Sequence, residues 1–117
     1  MQRHTMSKYN SRKSTYNGII FASKKEARRY AELKMLQDAG AISDLHLQKK
    51  YELIPSQKIN GKVVERACNY IADFVYIQDG ETVVEDVKGY RRSKAYDLYV
   101  IKRKLMLYKY GVRIREI

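Results

Sequence analysis

The stretch NYIADFVYIQDGETVVEDVKG, residues 69–89, decides the fold, because it holds two strand-like runs on either side of an Asp-Gly dipeptide. Both runs are rich in β-branched and aromatic residues, which are typical of strands. Asp-Gly between two such runs is typical of a tight hairpin turn. We therefore predict two neighbouring antiparallel strands, which bring Asp73 of the first strand close to Asp86 of the second.

Alternation along each strand assigns its side chains to two faces. In the second strand it places one set on one face (Val84, Asp86, Lys88) and one on the other (Val83, Glu85, Val87). In the first strand it places Asp73 on the same face as three apolar residues, Ile71, Val75 and Ile77. A carboxylate among apolar neighbours is costly unless it has a partner. Either a backbone amide or an arginine satisfies Asp73, or Asp73 and Asp86 share a divalent cation, for which oxygen ligands are suited.

Two helices are predicted on either side of this hairpin. The stretch FASKKEARRYAELKMLQDAG, residues 21–40, has Ser23 as a helix N-cap and Gly40 as a C-cap, with apolar residues at helical spacing: Ala27, Tyr30, Ala31, Leu33, Met35 and Leu36. The stretch SKAYDLYVIKRKLMLYKYG, residues 93–111, predicts a second helix that ends at Gly111. Its expected buried stripe is Leu98, Ile101, Leu105 and Tyr108.

The remaining strands complete the predicted topology. Residues up to Pro55 alternate like a strand, Asn60-Gly61 is a second hairpin signal, and the following strand is expected to break or bend near Cys68. The final residues, 112–117, predict a strand parallel to the 83–88 strand, reached through a right-handed crossover. The expected fold class is α/β (α+β), with a central mixed β-sheet flanked by helices in the order α-β-β-β-α-β.

Length and composition limit the protein to one small folded unit. At 117 residues, 44% of them hydrophobic, the chain is expected to form a single domain over residues 18–117, preceded by a flexible basic arm over residues 1–17. One cysteine, Cys68, and two histidines, His4 and His46, allow no internal disulfide and no zinc cluster. The sequence has no apolar run of membrane-spanning length and no secretory signal at its start, so we expect a soluble, cytoplasmic protein.

The charge predicts a polyanionic partner. Lysine and arginine total 24 against 13 acids, which gives a net charge of +11. From residue 88 to residue 115 there are ten basic residues and one acid, Asp97. Such an excess favours nucleic acid as the partner, although a merely soluble basic surface is the alternative. The eleven tyrosines are assigned mainly to packing, and some could stack on bases.

The pattern of Asp73 followed by Asp86-Val-Lys88 resembles the PD-(D/E)xK nuclease signature, in which an acid precedes a D/E-x-K on the next strand. Four blocks, GIIFASKKEARRYAELK, YIADFVY, VVEDVKGY and IKRKLMLYKYGVRIREI, together resemble a phage and prophage family catalogued as DUF1064, from about Gly18 to Ile117. That family is similar to Holliday-junction resolvases and to endonuclease subunits of certain transposases. The resemblance implies a restriction-endonuclease-like core in a protein of phage or prophage origin, acting in a bacterial host.

The resemblance also implies roles for particular residues. Asp73, Asp86 and Glu26 would be metal ligands, for Mg²⁺ with Mn²⁺ as a substitute, and Lys88 would assist catalysis. Glu26 has a competing role, because Ser23-Lys24-Lys25-Glu26 fits a capping box. Glu85 could replace Asp86 if a bulge shifted the register. Lys102 or Lys104 resembles the extra basic residue that some members bring to the site, and of the two we assign this role to Lys102. The other interpretation is that both lysines lie on an ordinary solvated helix face.

The predicted function is therefore a metal-dependent DNA endonuclease that acts on branched phage DNA, with a homodimer implied by the resemblance to resolvases. The expected DNA-binding residues follow the signature: Arg91, Arg92, Lys94, Arg103 and Lys104. Residues 89–94 would clamp the DNA strand through phosphate contacts, which position the substrate without reading its sequence, or else form a mobile surface loop. Two alternatives remain open: a non-catalytic nucleic-acid-binding protein, and a nuclease subunit that works only with a recombinase or transposase partner.

Overall fold

The computed structural model describes residues 13–89 and 92–117, which form a four-stranded mixed sheet with one helix against each face. In chain order the elements are β1 (Ser14–Tyr16), β2 (Ile19–Phe21), α1 (Lys24–Asp38), β3 (Ser43–Ile54), β4 (Gln57–Ile59), β5 (Lys62–Glu65), β6 (Cys68–Gln78), β7 (Glu81–Asp86), α2 (Lys94–Tyr110) and β8 (Arg115–Glu116). The central sheet is built from β3, β6, β7 and β8, so the predicted α-β-β-β-α-β order and mixed sheet are confirmed.

The sheet has the strand order β3-β6-β7-β8. The β6–β7 pair is antiparallel, with Phe74 opposite Glu85 and Val75 opposite Val84. Asp79 and Gly80 have φ angles of 52° and 78°, which are the positive values that a type I′ turn requires. The predicted hairpin is therefore confirmed, and so is the parallel final strand, which pairs with the end of β7 over only two residues.

Two small hairpins lie outside the central sheet. β4 and β5 pair around Asn60-Gly61 as predicted, and the chain leaves strand geometry between Glu65 and Cys68, where the break was expected. β1 and β2 pair with each other and place Tyr16 edge-on against Tyr30 of α1, with ring centroids 5.8 Å apart. Strand structure thus begins inside the predicted arm, of which residues 1–12 lie outside the described residues.

Helix α1 has the predicted ends. The Ser23 hydroxyl accepts a hydrogen bond from the Glu26 amide at 3.1 Å, as an N-cap does. At the other end Gly40 has a φ of 80° and follows the C-cap residue, Ala39, and the Ala41 amide donates to the Leu36 carbonyl at 2.8 Å. This is the Schellman arrangement. The buried residues are Ala27, Tyr30 and Leu33, whereas Met35, which was among the apolar residues at helical spacing, is 70% exposed.

Helix α2 also has the predicted caps but packs through a different face. Ser93 caps its start and Gly111, with a φ of 66°, caps its end. The buried residues are Tyr99 and Met106, whereas three members of the predicted stripe are exposed: Leu98, Ile101 and Tyr108. The predicted stripe is wrong because α2 carries apolar residues all around, so helical spacing does not select a face. Among the described residues, neither helix is long and apolar enough to cross a membrane.

At one position, strands β3 and β6 both change the face of the sheet to which their alternating side chains point. Leu47 of β3 and Phe74 of β6 pack in the core under α1. Farther along the same two strands, Leu53 and Ala72 belong to the core under α2. Regular alternation would put Ala72 and Phe74 on one face, so the predicted common face for Ile71, Asp73, Val75 and Ile77 is wrong. The change occurs at Asp73, opposite Gln48, whose φ of 54° interrupts regular strand geometry.

Candidate active site

The predicted signature residues meet where the start of α1 approaches the middle of β6 and the end of β7. Glu26 lies in the first turn of α1, Asp73 lies at the point where β6 changes face, and Asp86 is the last residue of β7. Lys88 follows two residues later. Alternation in β7 is regular: Val84 and Asp86 face α2, and Val83 and Glu85 face α1, as predicted.

The Asp73 carboxylate links β6 to β3 and to the residue that follows β7. One oxygen accepts a hydrogen bond from the Val87 amide at 2.8 Å, and the other accepts one from the Gln48 side-chain amide at 3.3 Å. Burial raises the pKa of Asp73, the Val87 amide opposes this, and the charge of Glu26 adds to it. The backbone amide expected for an isolated buried aspartate is therefore present, together with two neighbouring acids.

Glu26 contacts both its helix cap and the site. Its carboxylate accepts a hydrogen bond from the Ser23 hydroxyl at 3.4 Å, and its backbone amide donates to the same hydroxyl at 3.1 Å. The same carboxylate lies beside that of Asp73, with which it interacts electrostatically. Burial raises the pKa of Glu26, the hydrogen bonds to Asp73 and Ser23 lower it, and the charge of Asp86 raises it further. Glu26 is thus a cap residue that is also part of the acidic cluster.

Asp86 and Lys88 form an ion pair that is almost enclosed by protein. The exposed fraction of the side chain is 10% for Asp86 and 12% for Lys88. Burial raises the pKa of Asp86 to about 6, which the Lys88 ammonium opposes and the Asp73 carboxylate supports. The remaining side of the ammonium is covered by aromatic rings: its nitrogen lies 3.1 Å from the ring centroid of Tyr99 and 5.8 Å from that of Tyr96. Lys88 is therefore held between a carboxylate and a π face.

Glu85, the alternative ligand considered from the sequence, lies on the opposite face of the sheet. Its side chain is fully buried and is bound by the Arg29 guanidinium, with nitrogen–oxygen distances of 2.8 and 2.5 Å. The Tyr76 hydroxyl also donates to it. Each carboxylate oxygen thus has a partner, and the charge of Glu85 is matched by Arg29. Glu85 is an internal anchor between β7 and α1, whereas Asp86 faces the site.

Asp73 lies beside both Glu26 and Asp86, but the three carboxylates do not form a preformed metal site. Among residues 13–89 and 92–117, no three Asp, Glu, His or Cys side chains are arranged as a preformed metal group. The three acids nevertheless offer oxygen donors of the type that Mg²⁺ and Mn²⁺ take. Their raised pKa values mean that the folded protein disfavours their negative charge, a cost that a bound cation would remove. The residues therefore fit such a cation chemically.

A cleft of about 270 Å³ opens between β6 and α2 beside this cluster. It is lined by Asn69, Tyr70, Asp86, Leu98, Tyr99 and Lys102. The structure thus brings Lys102, the basic residue chosen from α2, to the wall that Asp86 also forms. Lys104 lies farther along the helix and does not line this cleft. Tyr70 and Tyr99 were not singled out from the sequence, where the number of tyrosines hides which of them approach the site.

The predicted DNA-binding residues fall in several places. Arg92 and Lys94 are exposed at the start of α2, and Arg91 lies outside the described residues. Arg103 and Lys104 border a second, larger groove of about 590 Å³ between α2 and the last strand, with Arg113, Leu107, Ile114 and Glu116. Arg103 donates to Glu116 at 2.9 Å. Sequence reasoning missed Arg113, although it belongs to the basic segment that was recognised.

Comparison with known proteins gives one family match. A family described as "Protein of unknown function (DUF1064)" matches residues 6–116. No curated protein matches the chain. Among solved structures, the chain is similar to the crystal structure of protein VC1899 from Vibrio cholerae, at 17% identity and a TM-score of 0.38 over 89% of this chain. That match spans 35% of the Vibrio chain.

Proposed function

The chain belongs to the DUF1064 family, whose function is unknown, and we propose that this protein is a metal-dependent DNA endonuclease. The observation that carries the proposal is the meeting of Glu26, Asp73 and Asp86, from three different elements, beside the enclosed ammonium of Lys88. Burying three neighbouring carboxylates costs stability, and such clusters of raised pKa are typical of functional sites. The resemblance to the PD-(D/E)xK signature assigns these same positions.

The site has the parts that phosphodiester hydrolysis requires. Glu26, Asp73 and Asp86 would hold one or two divalent cations. A bound cation would supply Lewis acidity and lower the pKa of a coordinated water. The Lys88 ammonium, fixed on the Tyr99 ring, would stabilise the negative charge that develops on the phosphate or orient the attacking water. The Val87 amide would keep the Asp73 carboxylate oriented, because this donor is part of the backbone and its position is fixed by the fold.

The surface around the site would hold the DNA backbone. Lys102 lines the active-site cleft, and Arg103, Lys104 and Arg113 border the neighbouring groove. Together with the net charge of +11, these residues support binding through phosphates, which is independent of sequence. A preference for branched DNA and action as a homodimer are finer parts of the proposal that rest on the resemblance to junction resolvases.

A non-catalytic nucleic-acid-binding protein is the second candidate, since the basic surface by itself supports binding. The acids argue against it, because carboxylates beside a bound phosphate weaken binding unless a cation intervenes. A subunit that needs a recombinase or transposase partner is the third candidate, and it keeps the same site.

The decisive experiment is Mg²⁺-dependent cleavage of a labelled four-way junction, a linear duplex and a single strand by the native chain and by Asp86→Asn. Glu85→Gln is the matched control, since it removes the adjacent acid on the other face of β7. In Asp86→Asn we expect cleavage to fall by at least 100-fold with DNA binding retained, because a group that would hold the metal is lost; this corresponds to about 3 kcal/mol of transition-state stabilisation. In Glu85→Gln we expect cleavage to persist below the melting temperature of that variant. Tight binding without cleavage in Mg²⁺ or Mn²⁺ would favour the binding protein or the partner-dependent subunit.

A further inference from the structure

The Tyr70 hydroxyl is an unusual feature of the cleft beside Asp86. Tyr70 is 4% exposed, and its hydroxyl is the buried side-chain polar atom that has no hydrogen-bond partner among the described residues. It lies near the Asp86 carboxylate, which raises the pKa of the tyrosine after burial itself, through its charge and as a potential acceptor, but no hydrogen bond forms between the two groups. Tyr70 also lines the cleft. An unpaired donor therefore lies at the wall of the candidate site.

Such a hydroxyl is costly to keep. A buried polar group without a partner loses its hydrogen bonds to water and gains nothing in return, so replacing it with hydrogen should leave the fold equally or more stable. Native proteins leave few buried polar groups unpaired, and the exceptions are explained by a ligand, a water or a catalytic role. The ring of Tyr70 packs in the core with Tyr99, at a centroid distance of 6.3 Å, and phenylalanine would do the same.

The chemistry of the cleft identifies the ligand that would satisfy this donor. The wall carries the Lys102 ammonium, the Asn69 amide and the Asp86 carboxylate, and the last of these is already paired with Lys88. Because Lys88 already neutralises Asp86, the Lys102 ammonium and the Tyr70 hydroxyl are left as donors at this wall. A ligand that offers only acceptors and negative charge fits this arrangement, and a phosphate group has these properties.

We propose that the Tyr70 hydroxyl donates a hydrogen bond to a phosphate oxygen of the DNA backbone bound in this cleft, together with the Lys102 ammonium. The proposal rests on the proposed function, because it takes DNA as the substrate, and it adds a catalytic-site residue that the nuclease signature does not contain. A tyrosine hydroxyl, with an ordinary pKa of about 10, stays protonated at neutral pH and is therefore a permanent donor.

Tyr76 provides a matched control on the same strand. It is also buried, but its hydroxyl donates to Glu85 on the opposite face of the sheet. Tyr70→Phe and Tyr76→Phe therefore remove the same atom from the two sides of β6. We expect opposite results: Tyr70→Phe keeps or raises the melting temperature and weakens DNA binding, and Tyr76→Phe lowers the melting temperature and leaves DNA binding unchanged.

The experiment measures thermal unfolding in EDTA and the affinity for a labelled DNA duplex in Ca²⁺, a hard cation that takes the same oxygen ligands as Mg²⁺, with the DNA checked to be intact on a gel. We expect Tyr70→Phe to bind DNA about 10-fold more weakly, as for the loss of a hydrogen bond to a charged group. In Mg²⁺, kcat/KM should fall by at least the same factor. Unchanged DNA affinity in Tyr70→Phe would overturn the proposal. A melting temperature that falls as much as in Tyr76→Phe would also overturn it, because the hydroxyl would then have a partner within the folded protein, either a water or Asp86.

The two proposals fail in different ways. If the native chain binds DNA but cleaves none of the substrates, the nuclease proposal fails and the weaker binding of Tyr70→Phe still tests the role of the hydroxyl. If the native chain cleaves DNA and Tyr70→Phe binds and cleaves equally well, the nuclease proposal stands and the role of Tyr70 is refuted.

Discussion

Arg29 is the residue whose replacement most directly tests how β7 is held against α1. Arg29→Met keeps most of the aliphatic side chain but removes the guanidinium, which makes two hydrogen bonds to the fully buried Glu85. The carboxylate then keeps the Tyr76 hydroxyl as a donor but no guanidinium bonded to it, since Arg115 donates to the Tyr76 hydroxyl, at 3.2 Å, and not to Glu85. Breaking a buried pair in this way costs about 3–5 kcal/mol, because an uncompensated charge remains in the core.

The size of the effect follows from exposure and chain length. The Arg29 side chain is 19% exposed, so water can approach the vacated position, and the lower end of the range, about 3 kcal/mol, is expected. A chain of 117 residues has a free energy of unfolding of about 6–18 kcal/mol. At roughly 4 °C for each kcal/mol, the melting temperature should fall by about 12 °C.

Thermal and urea unfolding of Arg29→Met and Arg28→Met would test this reasoning. Arg28 is the exposed neighbour on the same helix, and its replacement should change stability by less than about 0.5 kcal/mol. Adding Glu85→Gln to Arg29→Met should recover part of the loss, because the buried charge is removed and the Tyr76 hydroxyl keeps an acceptor. If Arg29→Met is as stable as Arg28→Met, the buried ion pair does not anchor β7 and the reasoning fails.

Three further predictions concern the site. In EDTA, the pKa of Asp86, about 6 in the folded protein against 3.8 ordinarily, means that the folded state holds a proton that the unfolded chain releases. The free energy of unfolding should therefore fall by on the order of 3 kcal/mol as the pH rises through this window, and urea titrations should show a flatter profile for Asp86→Asn; a steeper or unchanged profile would contradict it. Tyr99→Leu removes the ring that lies against the Lys88 ammonium, so under the proposed function kcat should fall by about 10-fold, whereas Tyr99→Phe keeps the ring and should stay within about 3-fold; equal losses would refute a role for the ring. Lys104→Gln and Arg113→Gln should each reduce the slope of log affinity against log salt for DNA by about 0.9, measured by fluorescence anisotropy, and a matched Lys62→Gln on the exposed β4–β5 hairpin should not.

Much of the fold could be predicted because local signals act over a few residues. Asp79-Gly80 and Asn60-Gly61 adopt the positive φ angles that place hairpin turns, and Ser23 and Ser93 cap the two helices through their own hydroxyls. These interactions are complete within the segment that contains them. The positions of turns, the ends of helices and the order of elements were therefore predictable without knowledge of the packing.

The candidate site was predictable only in part. Regular alternation in β7 assigned Asp86 to one face and Glu85 to the other, and the structure has this arrangement. The same rule failed on β6, because β3 and β6 change face together at Gln48 and Asp73. Glutamine rarely adopts a positive φ, so nothing in the sequence marks Gln48 as the place where β3 becomes irregular. Its effect on β6 depends on the pairing of two segments that are distant in the chain.

The sequence by itself determined where the strands turn, where the helices begin and end, that the chain is strongly basic, and that one acid of β7 faces away from its neighbour. The tertiary structure alone decided which face of α2 enters the core, that Arg29 neutralises Glu85, and that Tyr70 and Tyr99 surround the Asp86–Lys88 pair. The physical reason is range. Turns and caps are set by the energies of adjacent residues, whereas a helix with apolar and charged residues on every side, and one tyrosine among eleven, acquire a role only from the partners that packing brings to them.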